Sequence, residues 1–97
     1  MLQQQLTITT TNKKTLKPLL ESAIANEKQM LLLGLSRTEK RLAEFEREFG
    51  MSSTEFEKRL NAGELEETEV FTDWRMELGM LKLLKNQYQA LQNAQLD

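Results

Sequence analysis

Apolar residues recur along most of this chain at steps of three and four. Between Ile24 and Phe49 two seven-residue series interlock, Ile24, Leu31, Thr38, Phe45 and Lys28, Leu35, Leu42, Phe49. That spacing predicts a long helix with an a/d-like seam, interrupted at Lys28 and Thr38. A second stripe runs through Phe71, Trp74, Leu78, Leu81, Leu84, Tyr88 and Leu91, and Phe56 with Leu60 marks one face of a shorter element between them. The pattern predicts helices over about 16–49, 53–62 and 66–92. Before them the period changes to two, with Leu6 and Ile8 alternating with Thr7 and Thr9 and threonines continuing to Thr11, which is strand chemistry.

Punctuation supports these boundaries. Asn12, Lys13 and Lys14 read as a polar turn, Thr15 as an N-cap and Pro18 as a first-turn residue whose missing N–H removes no helical bond. Gly34 weakens the helix by about 1 kcal/mol against alanine and reads as a point of close helix packing. Gly50 supplies a left-handed stop. Ser52 with Glu55 has capping-box spacing, and Met51 with Phe56 spans the cap as a hydrophobic staple. Helix two ends at Gly63, Gly79 is tolerated inside helix three, and the polar tail frays. The expectation is therefore an all-α fold, a long-short-long helical hairpin assembling into an oligomeric helix bundle. A short N-terminal strand or extended arm over 1–14 precedes a single helical domain over 15–97.

Two segments, Met30 to Leu35 and Leu78 to Leu84, are apolar on nearly every side. A helix paired with one neighbour buries one stripe, so a segment greasy all round calls for more protein around it. With the long helices antiparallel and Phe49 level with about Glu67, Leu33 falls beside Leu83 and the two girdles come out level. Met30, Leu32, Leu33, Met80 and Leu83 are then the candidate oligomer interface, with Met30, Leu32, Met80 and Leu83 left exposed on a lone hairpin. The competing reading is a bend at Gly34 that folds the first half of helix one over the hairpin and hides the girdle.

Composition narrows the chemistry. The 97 residues suffice for one domain. With no cysteine and no histidine, thiolate and imidazole metal ligands, disulfides, the usual neutral-pH base and both triad types are absent. Neither GxGxxG, GxxxxGK[ST] nor HExxH occurs. The expectation is no enzyme, no cofactor and no metal. Thirteen Lys plus Arg against fifteen Asp plus Glu leave a net charge of −2, without a global basic field for nucleic acid or anionic lipid. No apolar run approaches the roughly 20 residues of a membrane span, and the first residues lack a signal-peptide core, so a cytoplasmic protein without membrane association is expected.

Three features admit a partner. Glu64, Glu66 and Glu67, with Glu69, form an acidic run. It either complements the dipole of helix three or, as a run of loop carboxylates, enters a basic groove on another protein. Trp74 is either a core residue of the helix-three stripe or an interface anchor. A lone strand carrying Leu6 and Ile8 cannot satisfy its own backbone, so it pairs with its own copy, adds to a partner's sheet, or stays disordered.

The block from Arg37 to Trp74 carries a recognisable pattern: Phe45, Glu46, Phe49, Gly50, Met51, Ser52, Glu55, Phe56, then the run Glu64 to Thr68. It resembles small prokaryotic helical proteins that look like antitoxin components encoded beside a candidate toxin, and the likeness covers roughly the C-terminal two thirds. The resemblance implies a non-enzymatic protein that binds and neutralises a toxin. The alternative is a DNA-binding transcriptional regulator, in which strands from Gln5 to Thr11 of two chains form a β-ribbon presenting Thr7, Thr9 and Lys13 to a groove. That fold uses a first helix of about three turns, whereas no stop occurs here before Gly50.

Overall fold

In a computed structural model, residues 13–94 are described, and their regular structure is helical throughout. Helix α1 spans Lys13–Phe49, α2 spans Ser53–Asn61 and α3 spans Glu69–Gln92. The strand read over Gln5 to Thr11, with Leu6 and Ile8, lies outside the described residues. At 1.5 Å per residue, the 37 residues of α1 reach roughly 55 Å, in a molecule measuring 61 × 26 × 19 Å.

The start of α1 differs from expectation. Lys13 and Lys14 belong to the helix rather than to a turn, Thr15 is inside it rather than capping it, and Pro18 is its sixth residue. Proline there leaves the carbonyl of Lys14 without its i+4 donor, a modest cost near a helix end. The C-terminal end follows the reading: Gly50 has φ +66°, and its N–H donates to the Glu46 carbonyl at 2.9 Å.

Ser52 caps α2, its Oγ accepting from the Glu55 N–H at 3.1 Å. The Glu55 carboxylate, which a full capping box turns back on Ser52, accepts instead from Arg59 at 2.7 Å. Gly63, at φ +77°, closes the helix in a Schellman arrangement. Its N–H donates to Leu60, and that of Glu64 to Arg59, satisfying end carbonyls. Helix α3 begins three residues later than the pattern predicts. Thr68 is the N-cap, with Oγ1 accepting from the Phe71 N–H at 3.1 Å, so Glu66 and Glu67 lie in the loop.

Helices α1 and α3 form an antiparallel hairpin, and α2 brackets its closed end. There Leu42, Phe56, Leu60, Trp74 and Leu78 make a buried cluster. Phe56 stacks on Trp74 with centroids 3.9 Å apart, Phe45 stacks on it at 5.5 Å, and Phe49 meets Phe71 edge-on at 5.1 Å. The Trp74 indole N–H donates to Ser53 Oγ at 3.0 Å, so the ring is fully buried with its polar atom satisfied.

Glycine sets the register. A Cβ on Gly34 would stand 3.3 Å from Leu84 Cδ1, and Arg41 pairs with Glu77 at 3.0 Å. Both pairings lie two positions from the expected alignment. Leu33 is therefore not beside Leu83, because the close approach belongs to Gly34, and Leu33 turns outward. Nor does α1 bend at Gly34: the helix is continuous, and none of the described residues folds back over the girdle.

Candidate interaction surface

The hairpin has two unlike broad sides. On one lies α2, tied to α1 where Glu46 Oε2 accepts from the Ser53 N–H at 2.7 Å and to α3 where Lys82 approaches Glu57 at 3.8 Å. The other side holds the Arg41–Glu77 pair and a shallow cleft lined by Arg41, Glu44, Phe45, Glu48, Val70 and Asp73. No element of the described chain covers it.

Helical periodicity places the exposed apolar residues relative to these sides. Eleven residues, or three turns, separate Met30 from Arg41, and seven, or two turns, separate Asp73 from Met80. Met30 and Met80 therefore share the uncovered side, with Leu33, Leu83 and Met76 on its outer margins. Leu32 points round toward the α2 side, beyond the end of α2. All five residues of the expected girdle are exposed in the single chain: Met30 58%, Leu32 40%, Leu33 60%, Met80 46% and Leu83 50%.

Four further exposed apolar residues, Leu19, Leu20, Val70 and Met76, escaped the sequence reading, and two of them continue a pattern. Met76, 66% exposed, and Leu19, 61% exposed, belong to second stripes offset from the core stripes. On α3 these are Met76, Met80 and Leu83, at i, i+4 and i+7. On α1 they are Leu19, Ala23, Asn26, Met30 and Leu33, with steps of four and three. The signal was present as a second heptad phase on each helix.

The acidic run is divided. Glu64, Glu66 and Glu67 are exposed on the α2–α3 loop, with Glu67 accepting from Arg75 at 3.1 Å, and only Glu69 occupies the first turn of α3. The run lies at the closed end of the hairpin, far along the rod from Met30. Trp74 is core, not anchor. The hydrogen bond from Arg59 holds the Glu55 carboxyl below its ordinary value, and Glu55 raises Arg59 in return; both groups are solvent-exposed, so the pair is worth little to stability.

No protein-family model, curated protein or solved structure matches the chain. The motif that carries the antitoxin resemblance is, in this fold, the closed-end scaffold. Phe45, Phe49 and Phe56 surround Trp74, Glu46 and Ser52 hold the start of α2, and Gly50 makes the turn. Among the described residues, no group of three or more carboxylates is placed to hold a metal ion. No helix of the described chain is long and apolar enough to cross a membrane.

Proposed function

We propose that this chain is a non-enzymatic interaction protein, an antitoxin-like component that assembles through its helices and neutralises a partner toxin. One observation carries the reading: a helical hairpin bears Met30, Leu33, Met76, Met80 and Leu83 on and around a side that none of the described residues covers. Full burial of a Leu or Met is worth roughly 1.5–3 kcal/mol, so residues about half exposed retain on the order of 1 kcal/mol each. Five together outweigh the net stability of many surface features and favour association. The resemblance through Phe45 to Phe56 supplies the class of partner, and the exposed Glu64, Glu66 and Glu67 offer it a negatively charged contact separate from the apolar side.

The test is co-expression with the product of the adjacent gene, followed by affinity capture and a growth assay. Joint purification with rescue of growth supports the reading. Charge reversal of Glu64, Glu66 and Glu67 is expected to weaken capture without lowering the melting temperature. A neighbouring product that is harmless alone and does not co-purify overturns the toxin assignment.

A further inference from the structure

Helix α1 overshoots its partner. With Gly34 against Leu84 and Arg41 against Glu77, the last helical residue of α3, Gln92, is level with Asn26. The thirteen residues from Lys13 to Ala25 therefore project about 20 Å past Gln92, with Leu91 and Ala94 meeting only the root of this overhang, at Glu21, Ile24 and Ala25, across a cleft. Leu19 and Leu20 are exposed on this overhang, while the girdle farther along α1 is equally bare.

The two deficits match in sequence. The outer stripe of α1 reads Leu19, Ala23, Asn26, Met30, Leu33. Run antiparallel to itself about Asn26, it sets Leu19 against Leu33 and Ala23 against Met30, and brings Asn26 against its own copy. Large faces large at the ends, small faces large within, and one polar residue sits at the centre, where an asparagine specifies register in paired helices. All five are exposed in the single chain. A two-fold axis through Asn26 gives the isologous pairing that closed dimers require, and the axis coincides with the end of α3.

We infer that the uncovered side is occupied by the α1 overhang of a second copy, in an antiparallel two-fold dimer centred on Asn26. This rests on the associating protein proposed above and specifies its first partner. Each overhang then lies along the bare side of the other hairpin, so three helices pack together on both sides of the axis.

Charge favours this direction. Among residues 14–36 and 79–94, five lysines stand against two glutamates, whereas residues 37–78 hold twelve acidic against seven basic side chains. The uncovered side itself carries Glu44, Glu48 and Asp73 near the closed end. Pairing with like ends together stacks these carboxylates on their own copies. The antiparallel pairing directs the lysine-bearing end of α1 toward them instead.

The experiment uses the full chain, which has no native cysteine. Light scattering should give twice the chain mass of 11.3 kDa. Asn26→Cys should cross-link to itself through a short bis-maleimide, whereas Leu32→Cys and Met76→Cys should react several-fold more slowly. Ala23→Lys alone and Met30→Lys alone should yield helical monomers. Ala23→Lys combined with Met30→Glu should restore the dimer, because each copy then offers opposite charges at both pairings. A dimeric wild type whose Asn26→Cys variant does not cross-link, or whose charge-swapped double variant is monomeric, overturns the arrangement while association stands. A monomeric wild type at high micromolar concentration overturns both.

Discussion

Glu46 fastens the short helix to the long one. Its Oε2 accepts from the N–H of Ser53 at 2.7 Å, half-buried, and Ser53 is the first residue of α2, whose opening N–H groups lack intrahelical partners. A hydrogen bond to a charged group contributes about 1.5–3 kcal/mol, and a carboxylate at a helix N-terminus adds about 0.3–1 kcal/mol. Glu46→Ala removes both effects and leaves the amide unpaired, with a predicted loss of about 2–3 kcal/mol. Glu46→Gln keeps an oxygen acceptor and forfeits only the charge, for a loss of about 1 kcal/mol. For a domain this size 1 kcal/mol shifts the melting temperature by roughly 4–8 °C, so calorimetry or thermal circular dichroism resolves both steps. The reasoning fails if Ala and Gln lower the midpoint equally, or if neither moves it, since an acceptor that matters must leave Gln between Ala and the native residue.

Other expectations follow from packing and charge. Gly79 has open space where a Cβ would go, so Gly79→Ala should stabilise by about 0.8–1 kcal/mol through helix propensity. Gly34→Ala gains the same propensity but crowds Leu84 at 3.3 Å, and should give clearly less in denaturant titrations; equal gains refute the close packing. Phe56→Ala, which empties a fully buried site stacked on Trp74, should cost about 3–5 kcal/mol and shift the tryptophan emission to the red. By carbon-detected NMR, Glu55 should titrate below the ordinary carboxylate value and return to it in Arg59→Ala. A lowered folded-state pKa means that what the pair contributes above that value is lost as pH falls through it.

Local chemistry was legible where a few adjacent residues suffice. The start of α2 needs only Met51, Ser52, Glu55 and Phe56, all close in sequence, and its apolar face follows from Phe56 and Leu60 four apart. The inward seams of α1 and α3 were legible because the 3.6-residue period repeats over several turns. The start of α3 was not: Glu66 and Glu67 are sound helix formers, and Thr68 is followed at N3 by Phe71 rather than Glu or Gln, so no full capping box marks the true cap. Glu46 was unreadable as a cap for a further reason. It lies seven residues before Ser53, on another helix, and meets it only because Gly50 reverses the chain. Register, likewise, depends on which residue allows closest approach, and two positions separate the Gly34–Leu84 pairing from the alignment that sets Phe49 level with Glu67.

The overhang of α1 brings these strands together in one measurable property. An isolated helix shorter than about 12–15 residues is marginal in water; residues 13–20 lie beyond α3, Glu21, Ile24 and Ala25 meet only its end at Leu91 and Ala94 across a cleft, and Pro18 removes one internal hydrogen bond. In a monomer the described residues protect those amides chiefly by continuation of the helix from Asn26, so exchange should be fast from Thr15 to Ala25 and slow from Leu31 to Phe49, where the aromatic core holds the chain. In the antiparallel dimer the same thirteen residues pack along a second hairpin, and their opening is coupled to dissociation. Amide exchange in the overhang should therefore slow as protein concentration rises through the dimer dissociation constant, while the closed end around Trp74 hardly changes. Protection that is independent of concentration, or that rises at the closed end first, contradicts the placement of the overhang at the interface, because mass action can slow exchange only where association adds cover.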